Sequence, residues 1–119
     1  MRDYKKFTVW EKSHNLTLQI YNATIKYPKE EVFGLTSQMK RSSSSIPTNI
    51  AEGCGRNSDK DFCRFLYFAF GSANELEYQL LLSIDLKFIE NEEGQKLLFQ
   101  TDEIKKMLNG LITKLNANS

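Results

Sequence analysis

The side chains that could do covalent or metal chemistry are few in this chain and poorly spaced for it. A serine nucleophile needs a base, and His14 is the only histidine available to the serines at positions 42–45. Those serines lack the strand–turn–helix setting of a nucleophile elbow, and His14 is expected to lie in a helical core. Cys54 and Cys63 are the only cysteines, whereas a zinc site needs about four ligands. The sequence therefore predicts no enzyme, no metal site and no cofactor.

Lysines and arginines are the side chains that could bind an anionic partner. Residues 1–64 carry eleven Lys/Arg against seven Asp/Glu, whereas residues 65–119 carry five against eight. Phosphate neutralisation needs only such cations, and no helix-turn-helix, zinc-finger or RNA-recognition signature accompanies them. The candidate nucleic-acid contacts gather around the second predicted helix and the turn after it: Lys40, Arg41, Arg56, Lys60 and Arg64.

The composition is that of an ordinary globular protein, with 40% hydrophobic and 26% charged residues. A length of 119 residues fits one domain, 1–119. No signal peptide follows the basic start, and the longest apolar run, 65–70, is too short to span a bilayer. Two cysteines without a disulfide pattern favour a reducing compartment. We expect a cytoplasmic protein with no membrane partner.

Apolar residues recur with a helical period along the chain, without convincing alternation of period two. The predicted helices cover residues 9–26, 35–52, 59–87 and 92–116. Short links join antiparallel neighbours, and Gly53 and Gly55 suit the end of the second helix and a tight turn. The pattern predicts an all-α fold, an up-down-up-down antiparallel four-helix bundle.

Four serines and Pro47 give the middle of the second helix the composition of a linker. Yet apolar residues keep helical spacing on both sides of the serines, from Leu35 to Ile50. We expect an unbroken helix with a bend near Pro47, where an interior proline costs about 3 kcal/mol. The serines are small enough to let a neighbouring helix approach closely.

A polar stripe lies beside the apolar face of this helix: Gln38, Arg41, Ser45, Asn49 and Glu52. A hydrogen-bond network between helices is favoured over a ligand site, since buried polar groups are mostly satisfied within the protein. Arg41 is expected to pair with an acid. Glu77 on the third helix is favoured over Glu52, which lies three turns along the same helix.

The third predicted helix is apolar nearly all round, which is typical of a helix buried on more than one side. The face opposite its core stripe carries Tyr67, Phe68, Tyr78, Leu82 and Leu86. A helix in a four-helix bundle touches the others over one arc only, so these residues need a further partner. A second copy of the chain is the economical partner, and dimers are the commonest closed assembly.

A set of motifs extends over nearly the whole chain: Trp10, 33–38, 40–41, 45–47, 49–53, Arg56, 65–66, Ala69, 71–72, 75–77 and 107–111. Together they closely resemble the four-helix-bundle family of 23S rRNA-intervening-sequence proteins. Genes of that family lie within large-subunit rRNA genes in some bacteria, and no catalytic activity is attached to it. The chain is also similar to the accessory protein of diversity-generating retroelements, a basic homopentamer that binds nucleic acid. That resemblance moves the expected assembly from a dimer to a pentameric ring.

Two functions remain open on the sequence. The first is a self-associating bundle that contacts structured RNA or a nucleoprotein through its basic half. The second is an oligomeric protein-interaction scaffold with no nucleic-acid role. Salt-dependent binding to rRNA fragments would separate them, because phosphate contacts release counterions.

Overall fold

Four α-helices make up most of the computed structural model, which describes residues 2–117. They are α1 (Thr8–Ala23), α2 (Leu35–Cys54), α3 (Asp59–Asp85) and α4 (Asn91–Ala117). Short 3-10 helices cover Tyr4–Lys6, Thr24–Lys26 and Lys29–Glu31. No strand occurs within residues 2–117. The all-α class is confirmed, although α1 ends three residues before the predicted boundary because the chain tightens into a 3-10 turn.

Successive helices run antiparallel around a square. Helix α2 packs against α1 and α3, and α4 packs against α3 and α1. The predicted up-down-up-down bundle is therefore confirmed. Helices α1 and α3 occupy opposite corners of the square and run in the same direction, a placement that decides which faces the bundle leaves open.

The core runs along the bundle axis and draws on all four helices. Its largest side chains exposed by less than 2% are Leu16, Ile20, Met39, Ile46, Ile50, Phe62, Leu66, Leu76, Leu80, Ile104 and Leu108. These residues recur every three or four positions, as an amphipathic helix requires. Burying each one contributes about 1.5–3 kcal/mol, so this axis is the main source of stability.

Helix α2 continues unbroken through its serines, as predicted. Ser42 and Ser43 are almost fully buried, where their small side chains let both neighbouring helices come close. The Thr17 hydroxyl of α1 donates to the carbonyl of Ser43 at 2.9 Å. On the other side, the Ser42 hydroxyl donates to Oε1 of Gln79 in α3 at 2.6 Å. The serines therefore fix the spacing of α2 between its two neighbours.

Gly53 lies in the last turn of α2, which ends two residues beyond the predicted boundary at residue 52. A Cβ atom at this position would lie 2.8 Å from Cβ of Phe65 and 3.0 Å from Cδ1 of Phe62. Gly55 is the residue that caps the helix, with a φ of −83°. Gly53 therefore serves the close approach of α2 to α3.

Candidate functional surfaces

The five candidate nucleic-acid residues fall into two groups. Lys40 and Arg41 lie in the first half of α2, whereas Arg56, Lys60 and Arg64 lie where α2 ends and α3 begins. At 1.5 Å of rise per residue, the chain from Lys40 to Arg56 covers about 24 Å along the bundle. The bundle therefore brings the last three together and holds the first two apart from them.

Lys40 and Arg41 each have a partner within the chain. The Lys40 ammonium lies 5.2 Å from the ring centre of Tyr21. Arg41 pairs with Glu75 at 3.7 Å through a guanidinium that is 74% exposed. The predicted pairing of Arg41 with Glu77 is wrong.

Glu75 and Glu77 are two residues apart on α3 and so point to different neighbours. Glu75 faces α2, whereas Glu77 binds Lys105 of α4 at 3.3 Å. Glu52, the other candidate, is 3.4 Å from Arg56, four residues further along the chain.

The second group forms an arginine end of the bundle, which we define as Arg2, Arg56, Lys60 and Arg64. Its guanidinium groups lie over aromatic rings of α3. Arg56 is 4.5 Å and Arg64 is 4.7 Å from the ring centre of Phe65. Arg2 lies 4.4 Å from the ring centre of Phe62. In cation–π contacts of this kind, the flat face of each guanidinium group lies on an aromatic ring. The N–H groups at the edge of the guanidinium can still donate hydrogen bonds.

Three carboxylates share the arginine end. Arg64 is 2.9 Å from Asp61, Arg56 is 3.4 Å from Glu52, and Arg2 pairs with Asp59. Partly exposed pairs such as these contribute at most about 1 kcal/mol each to stability. Their larger effect is on charge, since four cations against three carboxylates leave this end only slightly positive. A bound phosphate would have to compete with Asp61 for Arg64.

A shallow groove of about 410 Å³ lies beside the arginine end, between the start of α3 and the end of α4. Lys60, Arg64 and Tyr67 lie on its α3 side, and Asn116 lies on its α4 side. The groove thus combines two cations with an aromatic ring that is 55% exposed.

Two residues of the polar stripe of α2, Ser45 and Arg41, contact α3. The Ser72 hydroxyl of α3 donates to Oγ of Ser45 at 3.0 Å. Asn49 donates to the Ser45 carbonyl at 2.8 Å, while Gln38 is exposed. The most buried polar contact between the helices, Ser42 with Gln79, lies outside the stripe. Gln79 is only 3% exposed, and the one sequence signal for this contact was the helical phase that turns Ser42 inward.

Large apolar side chains cover the outside of α3, at its corner of the bundle. Tyr67 is 55%, Phe68 48%, Tyr78 63% and Leu86 49% exposed, as the sequence predicted. The predicted outward position of Leu82 is wrong, since Leu82 is half-buried and packs against the core. Its neighbour Leu81 is 46% exposed instead. We define the α3 outer face as Tyr67, Gly71, Tyr78 and Leu81.

A second apolar surface lies at the opposite corner, on α1 and the 3-10 helix that follows it. Leu18 is 55%, Tyr21 43% and Ile25 77% exposed, and we define these three residues as the α1 outer face. His14 lies on the outside as well, stacked on Trp10 with ring centres 5.2 Å apart, so its expected place in the core is wrong.

Burial raises the pKa of three groups above their ordinary values: the Cys54 thiol, the Cys63 thiol and the Tyr27 phenol. Both cysteines are free thiols, and burial keeps them protonated and poorly reactive. Residues 2–117 contain no group of three or more His, Cys, Asp or Glu side chains placed to hold a metal ion. In the same range, no helix combines the length and the apolar character needed to cross a membrane.

Comparison with known proteins gives a family match and a structural neighbour. Residues 5–110 match the family described as 23S rRNA-intervening sequence protein. The chain is similar to a solved protein of unknown function from the S23 ribosomal protein family of Bacteroides thetaiotaomicron. The TM-score is 0.80 at 31% identity, covering 88% of this chain and 98% of the other. Comparison with curated proteins gave no significant match.

Proposed function

This chain belongs to the 23S rRNA-intervening sequence protein family, and we propose that it is a non-enzymatic bundle that assembles with copies of itself. The observation that carries the proposal is the α3 outer face, where Tyr67, Tyr78 and Leu81 are 55%, 63% and 46% exposed. Covering such side chains contributes about 1.5–3 kcal/mol each when burial is complete. Several large apolar side chains exposed on one face of a helix mark an interaction surface.

The resemblance to the accessory protein of diversity-generating retroelements favours five subunits in a closed ring. Light scattering at micromolar concentration tests both assembly and number, because each subunit adds 13.8 kDa. We expect a mass near five chains. A mass near two chains would contradict the ring alone, whereas a mass of one chain at every concentration would contradict self-assembly.

As a second function, we propose that the assembly binds structured RNA through its arginine ends. Guanidinium N–H groups and ammonium groups bind phosphate oxygens, and Lys60 and Arg64 line one groove at this end. A single arginine end is only weakly positive and binds RNA weakly. Several arginine ends on one assembly can bind the same RNA together, which raises the avidity greatly.

The test of RNA binding is the affinity for rRNA fragments at several salt concentrations. Affinity should fall steeply with salt, and Lys60→Glu or Arg64→Glu should weaken it strongly because phosphate contacts are lost. Lys96→Glu is the matched control, since Lys96 is exposed in the first turns of α4, at the far end of the bundle. If all three variants bound rRNA fragments as tightly as the wild-type protein, the RNA function would be contradicted. A protein-interaction scaffold would then be favoured, and the carboxylates at the arginine end are compatible with that function.

A further inference from the structure

A pocket of about 410 Å³ lies where the 3-10 helices after α1 meet the start of α2. The buried part of its lining consists of Thr24, Tyr27 and Thr36, which are 3%, 5% and 7% exposed. The volume is within the range of small-molecule sites, about 300–1,000 Å³. Because the pocket and the arginine end lie at opposite ends of α2, the pocket is separate from the proposed RNA site.

Most of the remaining lining is apolar. Ile25, Pro28 and Val32 line the pocket together with Tyr27. Ile25 is 77% and Val32 is 51% exposed, so the bundle itself leaves both side chains in contact with water. Removing apolar surface of this kind from water is favourable, roughly in proportion to its area. The lining therefore suits a ligand with an apolar body.

Two ammonium groups belong to the same pocket. Lys29 and Lys40 both line it, and neither pairs with a carboxylate of residues 2–117. The Lys40 ammonium lies 5.2 Å from the ring centre of Tyr21. The carboxylate of Glu31 accepts from the amide of Leu35 at 3.1 Å and is not part of the lining. The lining therefore carries two positive charges and no negative charge.

The hydroxyl of Thr36 is a third polar group without a partner. It makes no hydrogen bond within residues 2–117, although the residue is only 7% exposed. In that range, the Tyr27 hydroxyl is the one side-chain polar atom that is both fully enclosed and unpaired. The Thr36 oxygen must therefore still reach solvent, which it does at the pocket that Thr36 lines. Because buried polar groups are normally paired, this hydroxyl is a donor available to a ligand.

We propose that this pocket binds a small carboxylate with an apolar body, such as a medium-chain fatty acid. The carboxylate accepts hydrogen bonds from Lys29, Lys40 and the Thr36 hydroxyl, and the apolar chain covers Ile25 and Val32. Two cations without an acid in the lining favour an anion over a neutral or cationic ligand. The exposed apolar residues favour a carboxylate with a chain over inorganic phosphate, which would leave those residues in water.

Calorimetric titration of the full chain with octanoate, octan-1-ol and inorganic phosphate tests the proposal. Octan-1-ol has the chain without the charge, and phosphate has the charge without the chain. Octanoate should bind once per chain and about tenfold or more tightly than octan-1-ol, because its hydrogen bonds are charge-assisted. Phosphate should bind more weakly than octanoate. The proposal is overturned if octanoate does not bind at millimolar concentration, or if either of the other two compounds binds as tightly.

Two variants locate the bound carboxylate. The double variant Lys29→Gln, Lys40→Gln removes both ammonium groups, and Thr36→Val removes the hydroxyl while keeping the branched shape. Each should weaken octanoate binding, the double variant by about tenfold or more, and leave octan-1-ol binding unchanged. A loss of stability alone would weaken the binding of both compounds equally.

Lys106→Gln is the matched control, since Lys106 is an exposed lysine of α4 outside this pocket. It should bind octanoate like the wild-type protein. If the double variant also kept the wild-type affinity for octanoate, the carboxylate would be bound elsewhere and the assignment of this pocket would be wrong.

Discussion

Replacing Gly53 by alanine tests whether α2 and α3 are held at the closest distance that their backbones allow. The new Cβ would lie 2.8 Å from Cβ of Phe65 and 3.3 Å from the carbonyl oxygen of Phe62. Neither atom is the tip of a flexible side chain, so the two helices must move apart. Overpacking of this kind costs about 1–3 kcal/mol. The better helix propensity of alanine returns about 0.5–1 kcal/mol.

The expected net effect of Gly53→Ala is a loss of about 1–2 kcal/mol in the free energy of unfolding. Urea denaturation followed by circular dichroism measures it, at one protein concentration because assembly makes stability concentration-dependent. Gly110→Ala in α4 is the matched control, since a Cβ at Gly110 meets nothing within 4 Å. The control should gain up to about 1 kcal/mol. If Gly53→Ala and Gly110→Ala raised the free energy of unfolding by the same amount, Gly53 would not be needed for the close approach of α2 to α3.

Three further predictions concern the polar contacts and the buried thiols. Ser42→Ala removes the hydrogen-bond donor to Gln79, a side chain only 3% exposed. It should lower the free energy of unfolding by about 1–3 kcal/mol in the same urea assay. An unchanged urea midpoint would contradict a structural role for this bond. Arg41→Ala should change stability by less than about 1 kcal/mol, because its pair with Glu75 is exposed and 3.7 Å long; a larger loss would show that Arg41 has a further role in the fold. Burial raises the pKa of the Cys54 thiol, so above the unfolded pKa the unfolded state loses its proton first. The free energy of unfolding should therefore fall as the pH rises above about 8.5, the ordinary pKa of a thiol. Cys54→Ala should make that fall shallower, and an identical slope in the variant would assign the fall to other groups.

Helical periodicity was enough to predict the fold. Leu35, Met39, Ile46 and Ile50 keep one phase across the serines, and a flexible linker has no reason to do so. This phase also placed Ser42 inward, which the structure bears out. The helix positions were predictable because each buried row spans many turns, so an error at one residue changes little.

The surfaces were harder to predict because they depend on single positions. Leu81 and Leu82 are adjacent, and the small rotation that decides which one packs against the core is set by the neighbouring helices rather than by the sequence of α3. The same holds for Glu75 and Glu77, of which one faces α2 and the other α4. A helical wheel shows which side of a helix is exposed. It does not show which positions at the border of that side are covered by the neighbouring helix.

Gly71 connects the fold to the proposed assembly. A glycine inside a helix costs about 1 kcal/mol relative to alanine, and at Gly53 the tight contact with α3 accounts for that cost. A Cβ atom at Gly71 would meet no atom of the described chain within 4 Å beyond its own helix backbone, so packing within the bundle gives no reason for glycine there. Gly71 lies between Tyr67 and Tyr78 on the α3 outer face, together with the exposed Asn74, and its missing side chain leaves a notch in this row. Gly110 has the same open surroundings, but it does not lie between exposed aromatic residues on one helix face as Gly71 does. A notch at Gly71 would let the backbone of another helix approach closely, in agreement with the proposed self-assembly.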